Sequence, residues 1–238
     1  MTLLRGIWFL LTVPPLTIFI ASWIILASWA GVRYEPHGLY DRLVRRWARW
    51  LVRLHSIPLR ITGRDRLDPN QSYVFASNHE SFVDVWALVL AIPHSCRFVA
   101  KKELTKVPFF GPAMEDAGHI SIDRRNLESA FSSYDQAAAA IQNGLSAAVF
   151  AEGTRSRDGV MLPFKKGPFV LAIRAAVPVV PVLIRGGFEN LPKGSIAVRG
   201  LPMSVQFGEP IPTAGLIYED RDALSARCRA AIEEMKAR

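Results

Sequence analysis

The chain has 238 residues, half of them apolar, and a formal net charge of +8. That length supports one sizeable core plus an appendage, and the slightly positive mean hydropathy is high for a freely soluble domain. The two cysteines, Cys96 and Cys228, are too far apart for a metal-binding pair and too few for a disulfide framework, which fits a reducing compartment. The excess of positive charge leaves nucleic acid, an anionic membrane surface or an acidic substrate as partners.

From Ile7 to Gly31 the chain carries no charged residue, a run long enough to cross a bilayer. Pro14-Pro15 interrupts it, so a straight span, a bent hairpin and a half-buried helix all remain open. A cleaved signal peptide is disfavoured by the length of the run and the single positive charge before it. From Leu39 to Leu54, at about 100° per residue, Leu39, Leu43, Trp47, Trp50, Leu51 and Leu54 share one face. Arg42, Arg45, Arg46, Arg49 and Arg53 share the opposite one. This pattern predicts an interfacial helix with Trp and Leu toward acyl chains and Arg toward lipid phosphates. The arginines place that surface in the cytoplasm, which in a bacterium means the inner membrane. The alternative is a core helix with a solvated basic face. Neither a basic sheet interleaved with aromatics nor a recognition-helix pattern accompanies the arginines, so no nucleic-acid partner is expected.

Pro58 to Asn70 reads as a connection. Beyond it Tyr73–Ala76, Arg97–Ala100, His119–Ile122, Ala147–Ala151 and Val179–Ile184 read as strands. Val83–Ala91, Leu127–Gln142, Phe169–Ala175 and Arg221–Lys236 read as helices. This alternation predicts an α/β fold with a central mixed sheet flanked by helices. Residues 57–238 would form one catalytic domain behind an anchoring helical segment, 1–56. Pro178 and Pro181 cannot donate to a ladder, so an edge, a bulge or a ligand-facing wall is expected there.

Four stretches carry chemistry. In Ser77-Asn78-His79-Glu80-Ser81-Phe82-Val83-Asp84 a histidine and a carboxylate sit five residues apart at a strand-to-helix turn. On a regular helix they would not share a face; with His79 in the turn and Asp84 in the first helical turn they can pair. A carboxylate on one ring nitrogen fixes the tautomer and frees the other as a base. Lys101 and Lys102 follow a strand and could receive a phosphate. Arg124 is a further candidate phosphate ligand, or the partner of Asp123 or Glu128. In Phe150-Ala151-Glu152-Gly153-Thr154-Arg155-Ser156 a buried strand runs into a turn. There glycine permits close backbone approach to an anion, and arginine can grip phosphate with two N–H groups. Each stretch also has a bland reading as a helix cap, a strand end or a charged turn.

Taken together and in order, Asn78-His79…Asp84, Gly118…Asp123-Arg124, Phe150-Ala151-Glu152-Gly153-Thr154-Arg155-Ser156 and Val177-Pro178-Val179-Val180-Pro181-Val182 resemble the four blocks of the glycerolipid acyltransferase family, nearest its 1-acylglycerol-3-phosphate acyltransferase branch. The resemblance covers about residues 70–210. It implies an acyltransferase domain that moves an acyl chain from acyl-CoA or acyl carrier protein onto the free hydroxyl of lysophosphatidic acid, at a membrane, with no cofactor and no metal. His79 would be the general base and Asp84 its orienting partner. Arg155, with Lys101 or Lys102 and Arg124, would hold the acceptor phosphate. Gly153 and Thr154 would shape that pocket, and Glu152 would fix the arginine or a hydroxyl. The Pro178/Pro181 strand would line the acyl-donor side. The alternatives are another lysolipid acceptor (a lysophospholipid or lyso-ornithine lipid) and a membrane-bound lipid hydrolase. The latter lacks a Gly-x-Ser-x-Gly elbow.

Overall fold

The computed structural model describes residues 2–122 and 127–238, and the side chains of all of these except 127–132. Two helices lead, α1 (Thr2–Trp29) and α2 (Leu39–Leu54). Then come β1 (Leu59–Thr62), β2 (Val74–Ser77), α3 (Val83–Ala91), β3 (Cys96–Lys101), α4 (Phe110–Asp116) and β4 (Ile120–Ile122). The chain continues through α5 (Leu127–Gln142), β5 (Ser146–Phe150), α6 (Gly167–Ala175), β6 (Val179–Arg185), α7 (Gly187–Asn190), β7 (Met203–Phe207) and α8 (Arg221–Ala237). The strands form one sheet in the order β1-β7-β6-β2-β5-β3-β4. It is parallel from β6 through β4, and only the β6–β7 pair is antiparallel.

Helices cover both faces of the sheet, so the inner strands are apolar on both sides, as a parallel sheet requires. On β2, Phe75 packs toward α2 and α3 with Trp86, Leu88 and Leu51. Its neighbours Val74 and Ala76 pack toward α5, α6 and α8 with Ile141, Phe169 and Ile232. The C-terminal ends of β2, β3, β5 and β6 therefore share one edge of the sheet. In open α/β sheets such an edge is where ligands bind.

The segment read as a connection, Pro58 to Asn70, contains β1, and β7 was likewise not expected. Both are short alternating edge-side strands whose period two has little length in which to show. Pro181 lies in β6, an inner strand, not at an edge. Its carbonyl accepts from Gly208 N–H at 2.8 Å, so its missing N–H faces the β7 side. There the register passes from Val182↔Phe207 to Val179↔Ile211, three residues opposite two, and the bulge removes the need for that donor.

The two leading helices are packed onto the domain. α1 runs unbroken through Pro14-Pro15 and buries Val13, Ile20, Ala21 and Ile24, packing on α2 and α4. Its opposite face leaves Leu10, Leu11, Phe19, Trp23 and Trp29 exposed. On α2, Trp47 and Leu51 face the protein interior, correcting the expectation that they point into the acyl chains of a bilayer. Arg45 also turns inward, donating to the carbonyls of Ile92 at 2.7 Å and His94 at 2.9 Å. Arg64 bonds the Ala91 and Leu90 carbonyls at 2.8 and 2.6 Å. Arg64 thus satisfies orphan carbonyls of the last turn of α3, Arg45 satisfies those of the segment just after it, and both charges complement the helix's negative pole. Arg42, Arg46, Arg49 and Arg53 remain exposed.

Candidate active site

The turn between β2 and α3 is fixed by its own side chains. Asn78 continues the β2–β6 pairing: its amide donates to the Ile184 carbonyl and its oxygen accepts from Ile184 N–H, both at 2.8 Å. Asp84, the second residue of α3, is 1% exposed. Its Oδ2 accepts from the N–H groups of Glu80 and Ser81 at 2.7 Å each and faces His79 Nδ1 at 3.0 Å. A carboxylate taking two backbone donors is an acceptor, so His79 Nδ1 carries the proton and Nε2 is the free base. The two residues pair because His79 sits in the turn and Asp84 in the helix.

Glu152 performs a different task from the one expected. It is 1% exposed; its Oε1 accepts from His79 N–H and its Oε2 from Leu162 N–H, both at 2.7 Å. It therefore holds the backbone of the histidine, not the arginine. Ser156 N–H completes the clamp on the His79 carbonyl at 2.9 Å. The His79 ring stacks on Phe150, centroids 3.7 Å apart. Burial pushes the Glu152 carboxyl above its usual range, and the two N–H donors oppose that rise. Glu80, buried next to Asp84, is raised to about 7, by burial first and by the Asp84 charge second.

His79 opens onto a cavity of about 500 Å³, within the usual size of small-molecule sites. Most of its wall is apolar: Ile20, Ala21 and Ile24 of α1, Val44 and Trp47 of α2, Val85 and Val89 of α3, and Ala113 and Met114 of α4. Trp47 keeps its indole N–H satisfied on Thr17 Oγ1 at 3.0 Å. His119 also lines it; its Nδ1 accepts Phe98 N–H at 3.0 Å. Burial and the nearby Arg97 charge push its pKa down to about 3, so it is neutral wall. Behind that wall Arg97 pairs with Asp41, both buried, joining β3 to α2.

The polar lining of the cavity includes His79, Lys101, Gly153, Thr154, Arg155 and Lys193, the last in contact with Thr154 and the Arg155 carbonyl. Of the two candidate lysines, Lys101 reaches it and Lys102 does not line it. Arg124 lies outside the described residues. No residue of β6 lines the cavity, so the Pro178/Pro181 strand is a buried support and not a donor-side wall. Among the described residues no carboxylate forms an ion pair with Lys101, Arg155 or Lys193. No group of three or more His, Cys, Asp or Glu among them is placed to hold a metal ion.

Two site residues escaped sequence reasoning. Gly187 abuts Asp84: a Cβ there would stand 2.1 Å from Asp84 Oδ1. Lys193 comes from the loop after α7. Neither belongs to the four blocks, and nothing in the local sequence marks them.

The family model described as Acyltransferase matches residues 58–185. The chain belongs to the Acyltransferase family. A 1-acyl-sn-glycerol-3-phosphate acyltransferase of Cocos nucifera is 34% identical over 191 residues, which are 80% of this chain and 60% of that protein. The alpha form from Homo sapiens is 35% identical over 74% of this chain and 62% of its own length. A protein of Caenorhabditis elegans named as a putative member of the same group is 31% identical over 86% of this chain and 71% of its own. The chain thus spans 60% of the coconut protein and 62% of the human one. Among solved structures, the 1-acyl-sn-glycerophosphate (LPA) acyltransferase PlsC from Thermotoga maritima superposes with a TM-score of 0.79, covering 100% of this chain and 97% of that one. At 23% identity that likeness establishes the shared fold.

Proposed function

We propose that this acyltransferase-family chain moves an acyl group from an acyl thioester to the free hydroxyl of 1-acylglycerol-3-phosphate, giving phosphatidic acid. The observation that carries this reading is a single juxtaposition. A histidine with one ring nitrogen tied to a buried carboxylate lines a largely apolar cavity together with cations that have no carboxylate ion-pair partner among the described residues. An acyl chain suits the first and a phosphomonoester the second. The names of the relatives add support from the same direction.

In this mechanism His79 Nε2 takes the proton of the acceptor hydroxyl as its oxygen attacks the thioester carbonyl. Asp84 stabilises the imidazolium that forms. The tetrahedral intermediate collapses by breaking the C–S bond, and the imidazolium returns the proton to the departing thiolate. No acyl-enzyme is required. Such base catalysis contributes about 10²–10⁴-fold, and holding both reactants adds to it. Arg155 and Lys101 hold the acceptor phosphate, Gly153 and Thr154 shape its pocket, and the cavity under α1 and α2 takes an acyl chain. The donor is acyl-CoA or acyl carrier protein, and no cofactor takes part.

The exposed apolar face of α1 and the exposed arginines of α2 support a site that works at a membrane surface, and on this reading the surface is the cytoplasmic one (the inner membrane in a bacterium). The test is mass spectrometry of products formed in mixed micelles from several lysolipids and one acyl thioester. Phosphatidic acid is expected. Product only from acceptors without a phosphomonoester would refute the reading.

A further inference from the structure

We propose that Lys193 is a third cation of the acceptor-phosphate site, and that it selects a phosphomonoester over a phosphodiester head group. The inference rests on the acyl-transfer reading above and deepens it. Lys193 lies outside the four motif blocks, on the loop that follows α7. Its Nζ stands 3.3 Å from Thr154 Oγ1 and 3.3 Å from the Arg155 carbonyl, and all three residues line the cavity that His79 opens onto.

Three features distinguish it from an ordinary surface lysine. First, these two partners are neutral, and no carboxylate among the described residues pairs with it. Both contacts are long for N–H···O bonds, and a charged acceptor would form a shorter and stronger one. Second, its backbone is anchored to the catalytic turn. Ser81 Oγ donates to the Leu191 carbonyl at 2.7 Å, two residues before Lys193. Asn190, fully buried, bonds the Gly186 and Leu201 carbonyls at 2.8 and 2.9 Å and receives Leu201 N–H at 2.8 Å, closing the loop at its base. Third, it lines the same cavity as Lys101 and Arg155, and none of the three has a carboxylate ion pair among the described residues. A phosphodiester carries one negative charge and a phosphomonoester close to two near neutral pH. A third cation therefore favours the monoester more than the diester. Arg155 supplies the directional grip and Lys193 a mobile point charge.

The experiment is equilibrium binding of 1-acylglycerol-3-phosphate and of 1-acylglycerophosphoglycerol in mixed micelles, without acyl donor, to wild type, Lys193→Met and Lys193→Arg. Methionine keeps an unbranched stem of similar length and removes the charge. The expected result is at least about a tenfold loss of affinity for the phosphomonoester in Lys193→Met, the usual scale for one charged hydrogen bond. A smaller loss is expected for the phosphodiester, and most of the affinity should return in Lys193→Arg. No loss, or an equal loss for both lipids, would overturn the proposal, since a merely structural staple treats both alike. Acyl transfer measured in parallel separates the two claims. Monoester-specific binding without phosphatidic acid formation would sink the proposed function and leave Lys193 in place. Phosphatidic acid formation with unchanged binding by Lys193→Met would do the reverse.

Discussion

Replacing Gly187 by alanine adds one methyl group to a residue no motif contains, yet it is expected to disable the catalytic pair. The new Cβ would lie 2.1 Å from Asp84 Oδ1, 3.1 Å from its Cγ and 3.3 Å from Ser81 Cβ. Gly187 does not occupy the left-handed region, so alanine fits its backbone and the conflict is confined to the side chain. To reach ordinary contact the carboxylate oxygen must retreat by more than about 1 Å. Its bonds to Glu80 and Ser81 N–H, now 2.7 Å, and to His79, now 3.0 Å, would then lie outside hydrogen-bond range. The imidazole loses its fixed tautomer and its counter-charge, which costs about 10²–10⁴ in kcat. The KM of either substrate should change little. Overpacking of this kind costs about 1–3 kcal/mol of stability, a fall in Tm of a few degrees for a chain of this size. Steady-state kinetics with a thermal melt measure both quantities. The decisive control is the Asp84→Ala background, where the missing carboxylate leaves room for the methyl group. Gly187→Ala should cost no further activity there. A folded Gly187→Ala enzyme keeping more than about a tenth of kcat, or additive losses in the double variant, would refute the reasoning.

Glu80 makes stability depend on pH. Its carboxyl is raised to about 7 by burial beside Asp84, so between about pH 4.5 and 7 the folded chain holds a proton that the unfolded chain has lost, and stability falls as pH rises through that window. Glu80→Gln should therefore be more stable than wild type by up to about 3 kcal/mol at pH 8 and equal to it near pH 4; a pH-independent difference in urea midpoints would count against this. Arg155→Lys keeps the charge but loses the fork, and should raise the KM for the lysolipid by about tenfold or more with little change for the acyl thioester. A rise confined to the thioester would move Arg155 to the donor side.

Much of the fold was legible because its signals are local. The apolar run Val83–Ala91 and the segment Leu127–Gln142 form helices with those bounds. The five expected strands form within about a residue or two of their expected ends. The parallel β2, β3 and β5 then bring residues 79, 101 and 152–155 to one edge, which the spacing alone could not show.

The misreadings concern what covers a residue. The 3.6 period of Leu39–Leu54 identifies an apolar face, but the same period serves lipid or protein, and here Trp47 and Leu51 face protein. Of the three settings open to Pro181 (edge, bulge or ligand-facing wall), the bulge is the one found, and it lies in the partner segment Gly208–Pro210, far away in sequence. The resemblance implies that Glu152 fixes the arginine or a hydroxyl, whereas the fold hands its two oxygens to the N–H groups of His79 and Leu162. Gly187 and Lys193 carry no local pattern; only the packing of α7 against the β2–α3 turn gives them roles.

The central claim is that His79 removes the proton from an acceptor hydroxyl. The most direct measurement is single-turnover formation of phosphatidic acid by folded wild type and His79→Ala at saturating lysophosphatidic acid, with acceptor binding measured separately. The account predicts a fall of at least about 100-fold in the single-turnover rate with acceptor affinity unchanged. A His79→Ala enzyme that binds the acceptor and keeps more than about a tenth of the wild-type rate would contradict it.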